Sequence, residues 1–213
     1  GDTPLTLNQI MAHRPGLEDT YAIFIPEIGE LPLDEALNAS RPAQVMPRGG
    51  PTAYSNWATA LAAKIIEDIT GRAYADLLDN QILMPLGMTR TTFREAEAGE
   101  TAPPLSASYR LANGAPVPVE RVDIGAFAPA GAMASTGVDM AQWMLLHLNE
   151  GSLGEARLMS AETYAAMRTR AFDDRPEAAD MAHGFMDRVH KGMRIYGHGG
   201  AINEFLSNME LAP

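Results

Sequence analysis

Tyr54, Asn56 and His198 are the side chains whose types and settings fit acid–base or nucleophilic chemistry. Tyr54-Ser55-Asn56 follows a Pro/Gly-rich turn and runs straight into a helical pattern that ends at Gly71. Polar groups at a loop–helix junction are held by a rigid element and can face a cleft. There a phenol can move protons and an amide can orient a neighbour. A free tyrosine has a pKa of about 10, so about one in a thousand is phenolate at pH 7. To act as a base it needs cations close by. The two lysines are not spaced for this: Lys64 lies on the polar face of the helix and Lys191 in a turn. The competing, purely structural reading makes Tyr54 a packing residue and Asn56 the helix cap.

His198 is flanked by Gly197, Gly199 and Gly200. Glycine removes packing and lets a backbone come close to a ligand. A strand edge at this point offers an N–H to a developing oxyanion; the alternative is a tight turn with an exposed histidine. His183, His190 and His198 are seven and eight residues apart and no His-Glu-x-x-His occurs. That spacing fits no common zinc pattern, so neither a metal nor another cofactor is expected. His147 falls inside a helix, packed or half exposed. His13 falls at a helix C-terminus, where a charged imidazole would favour the helix dipole. A nucleophile motif is lacking: there is no Gly-x-Ser-x-Gly, and the residues three before Lys64 and Lys191 are Leu61 and Arg188, so there is no Ser-x-x-Lys.

These residues need a scaffold, and 213 residues can bury a sizeable core. With 46% hydrophobic and 20% charged residues the composition is that of a globular protein. A formal net charge of −11 argues against nucleic-acid partners, which call for a basic stripe. The absence of cysteine excludes disulfides, a thiol nucleophile and Cys-ligated zinc.

Thr6 and Gln9 form a capping-box pattern for a short first helix. A short helix is expected near Asp34 to Leu37. The pattern after Tyr54-Ser55-Asn56 is the clearest: Trp57, Leu61, Ile65 and Ile69 recur every four residues with Ala58, Ala62 and Ile66 beside them, opposite Lys64, Glu67 and Asp68. A second helix buries Tyr74, Leu77, Leu78 and Ile82. Glu95 to Val119 reads as a long surface loop with a small hairpin turning at Asn113-Gly114. Further helices start at Ser135 or Thr136 and at Ser160. After Arg175 come strand-like segments, His183 to Arg188, Met193 to Gly197 and Glu204 to Leu211. The expected class is α+β: a mainly helical region over residues 1–175 carrying Tyr54 and Asn56, and a partial antiparallel sheet over 176–213 carrying His198.

In this order the landmarks resemble the serine β-lactamase and penicillin-binding protein superfamily. The likeness is greatest to its class C-like branch, which includes D-alanyl-D-alanine carboxypeptidases and esterases. Leu5 to His13 resembles that family's Thr-Leu helix and following histidine. Tyr54-Ser55-Asn56 resembles its Tyr-x-Asn motif. Ile69-Thr70-Gly71 and Pro85-Leu86-Gly87-Met88 are similar to two further landmarks. Pro129-Ala130-Gly131 with Ser135-Thr136 and Asp139 is similar to another, and His198-Gly199-Gly200 to the third motif.

The resemblance implies attack by a serine on an amide or ester carbonyl to give an acyl-enzyme. It gives Tyr54 the proton shuttle, Asn56 the orientation of the family lysine, and His198 a place on the sheet edge. It gives the Ala201 N–H half of an oxyanion hole and places Gly199 and Gly200 against the substrate. The substrate class implied is a small amide or ester, or a peptidoglycan-type peptide, and the location is the bacterial periplasm or outside the cell. The family's Ser-x-x-Lys would precede Thr6, and its last strands would follow Pro213. The chain is therefore expected to be the central part of a longer hydrolase, inactive alone, with missing strands supplied by the rest of that protein or by another chain. The alternative is a non-catalytic binding fragment. Arg14-Pro15 replaces the usual Thr-Ser, and Glu204 stands where glycine is common. Without the lysine, Tyr54 is expected to titrate as an ordinary tyrosine.

Overall fold

The computed structural model describes residues 4–95, 105–172, 180–202 and 205–212. Its helices are α1 (Leu7–Met11), α2 (Pro26–Gly29), α3 (Leu33–Ala39), α4 (Asn56–Thr70), α5 (Tyr74–Leu78), α6 (Gly137–Leu148) and α7 (Ala161–Arg168). Two 3-10 segments, Ala22–Phe24 and Gly125–Ala130, join them, and α5 continues through a π-helical turn at Asp79–Leu83. The strands are β1 (Ser108–Ala112), β2 (Ala115–Val119), β3 (Ser152–Leu153), β4 (Ala156–Arg157), β5 (Asp180–Ala182), β6 (Phe185–His190), β7 (Met193–Ile202) and β8 (Phe205–Leu211). The mixed helix and antiparallel-sheet class agrees with the expectation. The 175/176 boundary and Glu204 lie outside the described residues.

Local chemistry sets most helix starts. At α1 the Thr6 hydroxyl accepts from Gln9 N–H and the Gln9 side chain accepts from Thr6 N–H, a complete capping box. Thr136 caps α6 and Ser160 caps α7, each side chain accepting an N–H three residues on. The hairpin β1–β2 turns at Asn113 and Gly114, both with positive φ, as a two-residue type I′ connection requires.

Two expectations about α4 are corrected. Its cap is Ser55, whose hydroxyl accepts from Ala58 N–H, and Asn56 is the first helical residue. Its buried face is Trp57, Ala58, Ala60 and Ala63, while Ile66 and Ile69 are exposed. Small alanines let the helix axis come close to the Gly125–Ala130 segment. The expected stripe holds at Trp57, Ala58 and Leu61, which packs against that cluster, and fails towards the C-terminal end, at Ile66 and Ile69.

The core has three parts. Trp57 and Ala60 of α4 pack with Leu37 of α3, Ile124 and Phe127, and the Trp57 indole donates to the Leu37 carbonyl at 3.0 Å. Leu83, Leu86 and Met88 pack on Leu146 of α6. Phe185, Tyr196 and Leu211 form the sheet's inner face, against Trp143 and Met144 of α6 and Met167 of α7. The Ser-Thr/Asp landmark is scaffold: buried Asp139 accepts from Arg90 N–H at 2.8 Å and Thr91 Oγ1 at 2.7 Å, and Thr91 Oγ1 meets Ser135 Oγ at 2.7 Å. That pins the Met88–Thr91 turn to the start of α6. Among the described residues no helix is long and apolar enough to cross a membrane.

The larger sheet has the order β5-β6-β7-β8, antiparallel throughout. The β6–β7 pairing stops at Met186 opposite Gly197. From His198 to Ile202, β7 runs on beyond β6 and pairs with β8. The Gly-His-Gly-Gly stretch is thus strand interior and not a turn, and the strand expected to end at Gly197 continues to Ile202. The sequence reading did not anticipate β5.

Candidate active site

The overhang of β7 brings His198 to the loop before α4. The Tyr54 and His198 rings lie 5.8 Å apart at 50°. On its other contact the Tyr54 ring stacks on His13, with centroids 4.1 Å apart and planes 24° apart. Tyr54 is therefore held between a residue that follows α1 and one on β7, with 38% of its surface exposed. Burial, and then the Asp19 carboxylate, push its phenol above the ordinary value. The expectation of an ordinary titration is corrected upward. At neutral pH the phenol carries its proton and is a donor.

His198 is half-buried, and its Nδ1 bonds the Gly199 carbonyl. A carbonyl only accepts, so Nδ1 carries the hydrogen and Nε2 is left as the acceptor of the neutral ring. Gly199, Gly200 and Ala201 follow on the overhang, with Ala201 exposed. Asn56, at the first position of α4, is half-buried, and the Ser55 cap leaves its amide free of that task. A cavity of about 230 Å³ opens beside His198, lined by Gly197, Gly199, Thr52, Asp180 and Asn208 among others. Tyr54 and Asn56 are not part of its wall.

The loop leading to Tyr54 is tied, through Thr52, to a buried ion pair. Arg14 and Asp180 form a salt bridge with side chains 2% and 5% exposed. Thr52 Oγ1 donates to Asp180 Oδ1 at 2.6 Å and accepts from Arg14 Nε at 3.2 Å. The guanidinium also sits 4.7 Å over the Phe172 ring. The Arg14-Pro15 departure from the family pattern is thus a tie between the α1 end, the loop leading to Tyr54, and β5. Asp180→Asn removes the carboxylate charge facing a buried guanidinium and should cost about 3 kcal/mol. Urea denaturation measures this, and a loss under about 1 kcal/mol would rule the tie out as a main support.

His13 is the residue that the reading of the sequence misassigned. It is 4% exposed, and burial together with the nearby His198 lowers its pKa from 6.5 to about 4. It is uncharged at neutral pH and cannot act as a cationic helix cap. Its position just ahead of Arg14-Pro15-Gly16, within a stretch resembling a family landmark, was the available signal.

With this geometry in hand, comparison with known proteins matches the family model Beta-lactamase over residues 1–213. A curated relative, the unguisins hydrolase ungD' of Aspergillus campestris (strain IBT 28561), is 26% identical over 220 residues, covering 98% of this chain and 40% of its own length. The octameric penicillin-binding protein homologue from Pyrococcus abyssi superposes with a TM-score of 0.80 at 22% identity, covering 99% of this chain and 49% of that one. A D-stereospecific amidohydrolase from Streptomyces sp. gives 0.73 at 22% identity, covering 98% and 64%. The chain thus spans less than half the length of the first two and under two thirds of the third. The likeness to the solved structures is one of fold. The order of the landmarks, the sheet overhang and the full-length family match together make this chain a member of the beta-lactamase family.

Proposed function

We propose that these 213 residues form the central part of a serine hydrolase that cleaves an amide or ester bond through an acyl-enzyme. The observation that carries the reading is the meeting of Tyr54 and His198, ring centroids 5.8 Å apart, from distant parts of the chain. In this reading Tyr54, protonated at rest, relays a proton between the attacking oxygen and the leaving group. Asn56 orients the lysine of a Ser-x-x-Lys segment that these 213 residues lack, and the Ala201 N–H supplies half of the oxyanion hole. Gly199 and Gly200, without side chains, let the substrate lie along β7. The substrate class is a small amide, which the similarity to an amidohydrolase favours. The location is periplasmic or extracellular.

A fluorophosphonate or fluorescent penicillin probe tests this reading. The expected result is labelling of a longer polypeptide that carries Ser-x-x-Lys ahead of Thr6, and no labelling of the 213 residues alone. An intact Ser-x-x-Lys protein that takes up neither probe would exclude the acyl-enzyme. Tyr54→Phe in the longer protein should slow acylation by about 100-fold, the usual scale of a lost acid–base group.

A further inference from the structure

His13 grips three consecutive residues of the Tyr54 loop, each by a different part of itself. Its carbonyl accepts from Ala53 N–H at 2.7 Å. Its ring face stacks on Tyr54 at 4.1 Å. Its Nδ1 accepts from Ser55 N–H at 3.1 Å. Ser55 is 1% exposed, so this N–H has no access to water as a substitute partner. The backbone of His13 is left-handed, with φ 51°, a conformation uncommon outside glycine. Such a conformation persists where its surroundings over-determine it, and it concentrates at functional sites. Here the left-handed turn carries the carbonyl and the ring towards the same loop.

We propose that His13 is a positioning residue for Tyr54, fixing the phenol opposite His198. The inference rests on the reading of Tyr54 as the proton relay. Two features support it. The Nδ1 lone pair faces a donor, so the role requires the neutral tautomer with hydrogen on Nε2. Burial and the neighbouring His198 of β7 keep the ring neutral down to about pH 4.

Two substitutions separate the contacts. Asn tolerates the left-handed backbone and can offer Oδ1 where Nδ1 stood, so His13→Asn keeps the grip on Ser55 and loses the stacked ring. His13→Phe keeps the ring and loses the acceptor. The first measurement uses the 213-residue chain with 13C-labelled tyrosine. The Tyr54 resonance should titrate above an ordinary tyrosine in the wild type and move towards the ordinary value in His13→Asn, with the melting temperature nearly kept. The second uses the longer enzyme. Acyl-enzyme formation should fall about 10–100-fold in His13→Asn while KM changes less than about 2-fold, the pattern of a misplaced group. A folded His13→Asn with an unchanged Tyr54 titration and an unchanged acylation rate would overturn the proposal. If the longer enzyme forms no acyl-enzyme at all, the hydrolase reading fails instead, and the Tyr54 titration alone decides the role of His13.

Discussion

Between pH 6.5 and pH 4 the folded chain is expected to lose about 3 kcal/mol for each of two buried histidines. His147 is 1% exposed, on α6, and its ring lies 4.5 Å from Trp143 and 5.0 Å from Phe185. Among the described residues neither ring nitrogen has a hydrogen-bond partner. Burial, then the Arg168 guanidinium, lowers its pKa to about 4, and His13 is lowered to the same range. In the unfolded chain both take up a proton near 6.5; in the folded chain both stay neutral until about 4. The unfolded state therefore binds more protons across that window, and stability rises with pH through it. A further acidic loss lies lower. Burial alone would raise Asp187, but hydrogen bonds from Arg194 and Arg170 outweigh it and hold the carboxyl below 3.8. Domains are typically stable by about 5–15 kcal/mol, so a combined loss of about 6 kcal/mol would bring a domain at the low end of that range to its midpoint by about pH 4. Urea midpoints measured from pH 8 downward show the slope. His147→Phe fits the aromatic box and should remove about half of it. A variant whose pH profile runs parallel to the wild type would exclude His147 as the source.

What the sequence made legible was local. Caps at Thr6, at Ser135 or Thr136, and at Ser160 are read from a hydroxyl two or three residues ahead of an N–H that needs it, and in the fold Thr6, Thr136 and Ser160 fill them. The turn at Asn113-Gly114 and the left-handed Gly71 are equally local, since each follows from one residue's allowed φ. Errors arose where distant parts of the chain decide. Which stripe of α4 is buried depends on the Gly125–Ala130 segment lying across it, and alanines at Ala60 and Ala63 won over Ile66 and Ile69 for reasons of clearance, not hydrophobicity. His13 read as a charged helix cap because nothing within several residues of it shows that Tyr54 folds over its ring. Arg14 looked like a loop variation because its partner, Asp180, is on β5.

Tyr54 and His198 were singled out from residue type and setting, the resemblance gave them roles, and the fold brings their rings together. Their chemistry could not be read the same way. The protonated resting state of Tyr54 comes from its burial and from Asp19, and a triplet motif carries neither.

The glycines around His198 show how far the three-dimensional reason can differ from the sequence reason, and Gly197→Ala is the strongest test of it. Absence of side chains there was read as room for a ligand. For Gly197 the space is already taken: a Cβ would lie 1.8 Å from the Met209 carbonyl oxygen and 2.9 Å from the Glu210 Cα on β8. Both contacts are main chain within a paired strand, so no rotamer change relieves them. Gly197→Ala should cost about 4 kcal/mol, at the upper end for single substitutions, and lower the melting temperature by roughly 8–16 °C. Gly199 is different. A Cβ there meets the Ser207 carbonyl at 3.7 Å and the Asn208 side chain at 3.8 Å, ordinary contacts. Gly199→Ala should leave stability within about 1 kcal/mol, so its effect on probe labelling of the longer enzyme reports on substrate approach alone. Gly200 lies between the two, since its Cβ would meet the Ser207 hydroxyl at 2.7 Å, a group able to rotate away. Equal destabilisation by the Gly197 and Gly199 substitutions would mean that strand register, not backbone contact, sets the glycine requirement.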